Sequence, residues 1–319
     1  MALEVLEGGM LTTVQDLGRF GYMRYGVPTS GAMDPFALQV ANILVGNDPG
    51  EAALEITLIG PTLRATEDCL IAVTGADLGL RVDDREMPMW MSIFVRKGWV
   101  IEFTGRRSGC RAYLAVAGGI DVPRVLGSKS TYLNGGFGGF EGRALKKGDL
   151  IPVGKAPPDL VSLAGRFFPS EHIPPYSDSP QIRVILGPQE DYFTEEGIAT
   201  FLSATYKVSP TSNRMGYRLE GPPVAHKERA DIISDGIPLG AVQVPADGLP
   251  IVMMADHQTT GGYTKIATVI SADIPLLAQC VPGTSTVSFK AVSIEEARAL
   301  YIKMMESLKK VESPEEEWW

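Results

Sequence analysis

The chain has 319 residues, 45% of them hydrophobic and 21% charged, with a formal net charge of −9 at pH 7. This length allows a large buried core and two domains, and the acidic balance argues against sequence-independent binding to nucleic acid. The apolar stretches are short and interrupted by Gly, Pro or charged residues, so we expect no membrane span.

Short strands dominate the first half of the chain. Residues 1–7 alternate like a strand and carry acids where a signal peptide carries bases, which predicts a cytoplasmic location. Further short runs rich in β-branched or aromatic residues predict strands at 53–58, 69–74, 92–95, 100–104 and 111–116. One helix is predicted here, with Asp34 as N-cap, Pro35 at the first helical position and an end at Gly46.

A polar, glycine-rich segment precedes this helix, at residues 13–34. It combines acceptors, donors and one permanent positive charge with glycines that permit turns with positive φ. Its candidate site residues are Gln15, Asp16, Arg19, Ser30 and Asp34. The pattern fits either a pocket for a small amide or carboxylate, or a capped connector whose polar groups satisfy their own backbone. Asp34 is ambiguous in the same way, as a cap alone or as a cap and site residue.

Two segments in the middle of the chain bear on its domain organisation and suggest no catalytic or binding residues. Residues 134–140 are glycine-rich but lack the order of a phosphate-binding loop, so we expect a lid or a tight turn. Residues 155–180 are rich in proline with little periodicity and predict a connector between two domains. We therefore predict a β-rich lobe at 1–165, a second domain at 180–292, and a helix with an acidic tail at 293–319.

The second half also reads mainly as β-structure. Strands are predicted at 181–186, 241–245, 249–254, 265–271 and 286–289, with a short helix at 191–202. The turn at 246–248 predicts a hairpin. Ser293 and Glu296 form the capping-box pattern of a terminal helix, and residues 315–319 read as a frayed, solvated tail. Many short strands with few helices favour a closed barrel or a sandwich in each half.

Two further polar clusters are candidate binding sites. The first contains Asp256, Gln258, Thr259, Gly261 and Gly262. If the preceding strand continues, its two-residue period places Asp256 and Gln258 on one face, and the two glycines let the backbone close over a ligand. The alternative is a strand end that turns into a loop.

The other cluster is residues 212–218, with Asn213 and Arg214 as its candidate site residues. The planar fork of Arg214 suits a carboxylate or phosphate, and the alternative is a surface ion pair. Cysteine and histidine do not suggest a metal site. Cys69, Cys110 and Cys280 are far apart in apolar surroundings and read as reduced core thiols. The three histidines have no metal-ligand spacing with them, so no metal is expected. No nucleotide-binding motif, nucleophile elbow or biotin-bearing lysine is visible.

Four motifs carry a family resemblance. Residues 12–34 resemble the N-terminal signature of the 5-oxoprolinase C-subunit family, also called KipA-like, which is related to the carboxyltransferase A/B subdomains of urea amidolyase. Residues 114–123, 212–221 and 256–263 resemble its later signatures in the same order. The likeness extends from about residue 3 to residue 297.

The resemblance implies a mainly β (α+β) fold, with a cyclophilin-like β-barrel and a second β-rich lobe. It implies a cytoplasmic hetero-oligomer in which this chain, with the A subunit plus a KipI-like B subunit, opens 5-oxo-L-proline to L-glutamate. The complex is expected to use ATP, bound mainly by the partner subunits. One alternative is a carboxyltransferase component that moves carboxylate from biotin to urea or a related amide. Another is a regulatory KipA-like protein that binds a KipI-like kinase inhibitor.

The residue types suggest roles for a ligand with a cyclic amide. We expect Arg19 or Arg214 to hold a carboxylate through paired hydrogen bonds, while Gln15 and Gln258 orient the amide. Asp16 would accept the ring N–H or act as a general base, and Ser30 would help to bind a developing oxyanion. These assignments require that residues near 16, 214 and 258 share one cleft.

Overall fold

The computed structural model describes residues 2–313. The chain divides into two compact units. The first contains the residues up to 19, residues 30–174 and those from 306 onward, and the second contains residues 20–29 and 175–305. This division reflects which residues pack together. The predicted domain limits at 165, 180 and 292 stay a prediction.

The first unit contains two antiparallel sheets. Its strands are β1 Ala2–Glu7, β2 Leu11–Gln15, β3 Ala53–Thr57, β4 Thr62–Ala65, β5 Cys69–Asp77, β6 Leu80–Val82, β7 Arg85–Glu86, β8 Ser92–Val95, β9 Val100–Phe103, β10 Ser108–Val116 and β11 Leu150–Pro152. They form a six-stranded sheet in the order β11-β1-β4-β9-β6-β7 and a five-stranded sheet in the order β2-β3-β10-β5-β8. One hydrophobic core draws on alternate residues of both sheets, such as Ile71 and Val73 of β5 and Leu3 and Leu63 of β1 and β4.

Helix α1 Pro35–Leu44 lies against strands β5 and β10 of the five-stranded sheet. These strands are buried on both faces, which explains their almost continuous apolar sequences. The Asp34 carboxylate accepts a hydrogen bond from the backbone N–H of Ala37 at 2.9 Å, and Pro35 occupies the first turn. The predicted helix and its cap are therefore confirmed.

The second unit contains a closed seven-stranded barrel. Its strands are β12 Gln181–Leu186, β13 Thr205–Val208, β14 Gly216–Glu220, β15 Asp231–Gly236, β16 Ala241–Val244, β17 Ile251–Met253, β18 Thr260–Val269 and β19 Thr286–Ala291. The order is β12-β19-β13-β14-β17-β16-β18, and pairing of β18 with β12 closes the ring, while β15 pairs with β18 outside it. The helices are α2 Glu195–Ser203, α3 Ile274–Ala278 and α4 Ile294–Ser307. The predicted mainly β fold, with a barrel and a second β-rich lobe, is confirmed.

Several local predictions are wrong. The strand before Asp256 ends at Met253 rather than continuing, and the backbone turns there, with His257 N–H donating to Met254 C=O at 3.0 Å. Strand β18 begins at Thr260, not at residue 265, so Gly261 lies within a strand. Helix α2 begins at Glu195, after its N-cap Thr194, rather than at 191. The short strands β2, β4, β6, β7, β11, β13, β14 and β15 were not predicted.

Two further expectations concern what the described residues contain. Within residues 2–313 no helix is both long and apolar enough to cross a bilayer, and no group of three His, Cys, Asp or Glu side chains in that range could hold a metal ion. The predicted acidic tail at 315–319 lies outside the described residues.

Candidate functional site

The first polar site in the structure is centred on Asp16, immediately after strand β2. Its carboxylate accepts hydrogen bonds from Gly18 N–H at 2.8 Å, Lys129 N–H at 2.6 Å, Ser128 Oγ at 2.7 Å and Ser130 Oγ at 2.5 Å. Apart from Gly18, the residues that supply these donors are more than 110 positions from Asp16 in the sequence. We call Gln15, Asp16, Arg19 and residues 128–131 the Asp16 cluster. Its geometry makes Asp16 the anchor that joins two distant loops.

Gln15 and Arg19 belong to the same cluster. The Gln15 amide donates to Thr13 Oγ1 at 3.0 Å and to Thr131 C=O at 3.2 Å, while its buried Oε1 has no hydrogen-bond partner among the described residues. The Arg19 guanidinium is completely buried, donates to Ser130 C=O and lies 5.0 Å from the centre of the Phe137 ring. The structure thus brings three of the predicted residues together and leaves one amide oxygen able to accept a donor.

Ser30 has an unusual backbone and an unbonded side chain. Its φ is +54°, in the left-handed region that residues with a Cβ rarely occupy, and its buried hydroxyl has no partner within residues 2–313. A Cβ at the following Gly31 would lie 2.8 Å from the backbone of Leu17 and Gly18, so close packing holds this turn in place. Strained backbone with an unsatisfied polar group is a recognised feature of binding sites.

Asp34 is placed differently, beneath the start of helix α1. It is completely buried and caps the helix, and its N–H donates to Tyr113 Oη at 2.8 Å. Tyr113 in turn donates to Glu55 at 2.8 Å, and burial beside that carboxylate raises the pKa of Tyr113 well above its usual value. Capping is the role that this geometry supports; a further role in binding stays a prediction.

The second polar site lies in the barrel unit and includes a buried ion pair. Arg214 donates to Asp256 through Nε at 2.9 Å and through Nη2 at 3.0 Å, and both side chains are almost fully buried. Asp256 N–H also donates to Arg214 C=O at 2.8 Å. This edge of the guanidinium is therefore already bound to a carboxylate within the chain. The pair ties the turn at 254–257 to the residues before strand β14.

Beside this pair is a cleft of about 370 Å³, which we call the barrel cleft. Its size is within the range of small-molecule sites, about 300–1,000 Å³. Its floor is the outer face of strands β14, β17 and β16, because Tyr217, Val252 and Val242 on these strands point to the buried inner face. It is lined by Thr211, Asn213, Met215, Gly216, Arg218, Gln243, Pro245, Asp247, Ile251, Met253, Gln258 and Tyr263.

The predicted residues of the second half fall at different places around this cleft. Asn213 and the exposed Gln258 line it. Thr259 and Gly262 do not line it, whereas Gly261 adjoins Gln243. The expectation that Asp256 and Gln258 share a strand face is wrong, because they lie in a turn with Asp256 buried and Gln258 exposed.

His257, which was not a predicted site residue, is buried, with Nδ1 2.8 Å from Gln258 O. Burial lowers its pKa, so it is neutral at pH 7.

Sequence reasoning missed several polar residues of both sites. In the Asp16 cluster these are Ser128, Ser130 and Thr131, all completely buried. The run of small hydroxyl residues after Gly127 was a usable signal, because such residues are seldom buried without polar partners. In the barrel cleft this is Gln243, whereas Arg218 lay in the predicted cluster at 212–218 but was given no role. A glutamine in the middle of the apolar strand β16 was the signal there.

The glycine-rich segment is held in tight turns. Gly136 N–H donates to Leu133 C=O at 3.2 Å and Gly142 N–H donates to Gly138 C=O at 2.8 Å. Gly138 packs so closely that an added Cβ would lie 2.1 Å from Ser130 O. The segment is therefore a series of tight turns packed on the Asp16 cluster.

Comparison with known proteins defines the class. Residues 25–291 match the family model described as carboxyltransferase domain, subdomain A and B, and the chain belongs to this family. It is 42% identical over 295 residues to the C subunit of 5-oxoprolinase from Escherichia coli (strain K12), covering 92% of this chain and 93% of that protein. It is 38% identical over 299 residues to the C subunit of 5-oxoprolinase from Haemophilus influenzae, covering 93% and 94%. The resemblance noted in the sequence is confirmed.

A solved structure extends the comparison to a larger enzyme. The crystal structure of the K. lactis urea amidolyase superposes with a TM-score of 0.91 and 35% sequence identity. The match covers 98% of this chain and 20% of that chain. The whole described fold therefore corresponds to one module of the larger protein.

Proposed function

We propose that this chain is the subunit of an ATP-dependent 5-oxoprolinase complex that opens 5-oxo-L-proline to L-glutamate. The observation that carries the proposal is the similarity to the C subunit of 5-oxoprolinase along nearly the full length of both chains. The urea amidolyase similarity, by contrast, involves one fifth of the larger chain. We expect the complex to lie in the cytoplasm, and its other members to be the A subunit plus the KipI-like B subunit.

The chemistry of the two polar sites supports this substrate class. 5-Oxoproline presents a cyclic amide N–H and C=O together with a carboxylate. The chain offers a buried amide oxygen at Gln15 and a buried hydroxyl at Ser30, neither with a partner in the described part of the chain. A buried polar group without a hydrogen bond costs free energy that a matching ligand recovers. We assign Gln15 Oε1 to the ring N–H and the Ser30 hydroxyl to the developing oxyanion.

The geometry changes the role that we propose for Asp16. All four of its hydrogen bonds come from donors within the chain, three on Oδ1 and one on Oδ2, and they join two distant segments, which fits an anchor. We therefore propose Asp16 as a positioning residue that fixes Gln15 and Arg19. Its action as a general base stays the less favoured assignment.

The carboxylate-binding role of Arg214 also needs revision. Asp256 occupies the Nε and Nη2 edge of its fork, which supports a structural role at the barrel cleft. Arg19, stacked on Phe137 in the Asp16 cluster, stays a candidate for the substrate carboxylate.

ATP supplies the free energy and the activation of the lactam oxygen, because an unactivated amide is a poor electrophile. Since the sequence of this chain contains no nucleotide-binding motif, we propose that the partner subunits bind the nucleotide. What this chain contributes is recognition and orientation of the cyclic amide.

Reconstitution tests the proposal. The chain is co-expressed with candidate A and B subunits, and glutamate release from 5-oxo-L-proline is measured with and without ATP. We expect release that requires ATP and all three subunits. Complexes that assemble but release no glutamate contradict the proposal.

A carboxyltransferase function is the second candidate, favoured by the TM-score of 0.91 with the K. lactis urea amidolyase. In this case biotin on a separate chain supplies the carboxylate, and the parallel assay with carboxybiotin and urea gives turnover instead. The regulatory alternative gives neither activity but tight binding to a KipI-like partner.

A further inference from the structure

One loop of the described chain exposes aromatic rings and an arginine together. Phe20 is 71% exposed and Tyr25 is 66% exposed, which makes them the two most exposed aromatic side chains among residues 2–313. Arg24 lies between them in the sequence and is also exposed. Aromatic side chains and arginine are the residue types that contribute most often to the binding energy of protein–protein interfaces. We call Phe20, Arg24 and Tyr25 the aromatic–arginine patch.

The patch lies on a loop that is closed at its base. Residues 17–31 leave the chain after Asp16 and return to Ala32, whose N–H donates to Asp16 C=O at 2.9 Å. A compact loop of this length whose two ends meet is an Ω-loop, a class that is frequently functional. The candidate residues Arg19 and Ser30 lie near its two ends. Binding to the loop therefore bears, through the backbone, on residues of the proposed substrate site.

The turn that carries the patch has a defined backbone shape. Residues Met23–Tyr25 form a short 3₁₀ helix, in which Tyr25 N–H donates to Tyr22 C=O at 2.9 Å. Gly21 and Gly26 have φ values of +90° and +77°, and a Cβ at either position would meet no described atom within 4 Å. Backbone conformation rather than lack of space therefore requires glycine at both positions. A surface that is ordered before binding loses less conformational entropy when a partner docks.

The guanidinium of Arg24 is stacked on a ring but has no ion-pair partner. Its Cζ lies 4.8 Å from the centre of the Tyr25 ring. It forms no salt bridge or hydrogen bond with any residue from 2 to 313, whereas the exposed Arg107 pairs with Glu86. Stacking uses the flat face of a guanidinium and leaves its N–H groups, which lie in the plane, able to bind a carboxylate through two hydrogen bonds.

The local charge defines what complements this patch. From residue 17 to residue 33 the chain contains two arginines, Arg19 and Arg24, and no acidic residue, although its net charge is −9. Arg19 is completely buried, so Arg24 is the charge that this stretch presents to solvent. A protein surface with a carboxylate beside an apolar pocket is complementary to the patch, whereas a basic surface is not.

We propose that the aromatic–arginine patch is the docking surface for a partner subunit, which presents an apolar pocket for Phe20 and a carboxylate for Arg24. The two bacterial relatives are named as subunits, which supports another subunit as the occupant. The inference rests on the proposed function and deepens it. It assigns to one loop the contact through which assembly of the complex is coupled to the substrate site.

Two variants of the full chain test the docking surface. Phe20→Ser removes the apolar anchor, and Arg24→Met removes the charge but keeps the length of the side chain. Calorimetry measures binding of each variant to the candidate A and B subunits, purified separately. We expect each variant to raise the Kd for one of these subunits about tenfold or more. Because both side chains are exposed, the thermal midpoint of the free chain should not change.

Matched controls lie elsewhere on the surface. Arg96 is exposed and stacked on an aromatic ring, with its Cζ 5.6 Å from the centre of the Trp99 ring, so Arg96→Met removes an equivalent arginine. Ile294 is 65% exposed, and Ile294→Ser removes an equally exposed apolar side chain. Both controls should keep the wild-type Kd. A rise in Kd that is equal in the controls and in the patch variants overturns the inference.

Glutamate release separates a docking role from a role in the reaction. At saturating concentrations of the partner subunits, the Phe20→Ser and Arg24→Met complexes should release glutamate at the wild-type rate, because neither side chain is assigned to the substrate site. Added salt should weaken binding of the wild type more than binding of Arg24→Met, since salt screens a charge pair. A low rate at saturation together with a wild-type Kd identifies a role in the reaction and overturns the inference.

The outcomes distinguish this inference from the proposed function. Assembly that depends on the patch but gives no glutamate release overturns the proposed function and retains the docking surface. ATP-dependent release by complexes whose Kd is the same in the wild type and in both patch variants overturns the inference alone. Self-association of the free chain that Phe20→Ser abolishes, with an unchanged Kd for the subunits, assigns the patch to a second copy and overturns the inference. A wild-type chain that binds neither subunit contradicts both.

Discussion

The Asp16 carboxylate accepts two backbone N–H groups and two hydroxyl groups, from residues on both sides of the cluster. When the carboxylate becomes an amide, the charge is lost and one oxygen becomes a donor; the least disruptive orientation keeps the three donors on Oδ1 and sets Lys129 N–H against the new NH2 group. Hydrogen bonds to charged groups contribute about 1.5–3 kcal/mol each, although the contributions are not additive. Asp16 is therefore expected to matter for stability before any role in chemistry is considered.

We predict that Asp16→Asn lowers the free energy of unfolding by about 3 kcal/mol. Asp48→Asn is the matched control, because Asp48 accepts the N–H of Gly50 at 2.8 Å in the same kind of local turn but in an exposed hydrogen bond. Its effect should remain within about 0.5 kcal/mol. Urea unfolding of the two variants measures the difference; equal effects contradict the anchoring role of Asp16.

His257 gives the barrel a dependence on pH. Burial lowers the pKa of His257, so the folded state resists protonation while the unfolded chain takes up a proton near pH 6.5. The stability is therefore fully present above pH 6.5 and falls below it, by at most about 1.4 kcal/mol per pH unit, until the lowered folded pKa is reached. Unfolding at pH 7.5, 6.5 and 5.5 should show a shallower slope for His257→Asn than for the wild type. Parallel slopes contradict this assignment.

At the residue scale, sequence patterns identified Gln15, Arg19 and Gln258 as polar groups near glycine, and the structure places the first two in one cluster. The donors to Asp16 were beyond sequence reasoning, because Ser130 is 114 residues away and no periodicity links such positions. The glutamine in the apolar strand β16 marked Gln243 as unusual, but only the sheet register shows which face of the strand it occupies.

At the scale of elements, the glycine-rich turns of residues 134–142 are packed on the Asp16 cluster. Gly138 has a φ of +73°, and a Cβ there would meet Ser130 O at 2.1 Å and Arg19 Nη2 at 2.7 Å. Gly136 has a similar φ of +64°, but a Cβ there would meet no described atom within 4 Å. The two glycines share a backbone conformation and differ only in what lies beside them.

This difference makes a paired prediction. Gly136→Ala should cost about 1–2 kcal/mol of unfolding free energy, from backbone strain alone. Gly138→Ala should cost at least about 3 kcal/mol, because a backbone oxygen cannot move aside as a flexible side chain can. Chemical unfolding of both variants measures the difference. Equal costs show that the turns do not pack on the cluster as described.

The elements themselves were predictable where the pattern was strong. The apolar runs that became β5, β8 and β10 and the capped helix α1 were found because local propensity and burial agree. Short strands such as β4 and β13 have no distinct local pattern, since their pairing partners rather than their sequences make them strands. The turn at 254–257 replaced a predicted strand because the Arg214–Asp256 pair fixes the backbone there.

At the scale of the whole molecule, each compact unit is formed by more than one segment of the chain. The first unit is completed by residues after 306, where Glu312 and Phe167 exchange two backbone hydrogen bonds of 2.9 Å. Leu308, 7% exposed, lies in a short 3₁₀ helix against α1. The last described residues are therefore part of the first unit rather than an appendage.

We predict that a chain ending at Met305 loses roughly 5–10 °C in its thermal midpoint, since two hydrogen bonds and one buried leucine contribute about 3 kcal/mol together. The control ends at Ser313 and retains these contacts. Differential scanning calorimetry of both proteins measures the effect. Identical midpoints show that the C-terminal residues do not stabilise the first unit.

Because each unit is formed by separate segments of the chain, the order of synthesis constrains when each unit can fold. A nascent chain folds from its N-terminus as it leaves the ribosome, and a domain encoded by one continuous stretch can be finished before the next is translated. Here residues 20–29 pack in the unit of the barrel, whose last strand, β19, begins at Thr286. Phe167 forms its two backbone hydrogen bonds with Glu312, which is synthesised much later. Neither unit can be completed before these later residues have been synthesised, so apolar surface of both units stays uncovered until then.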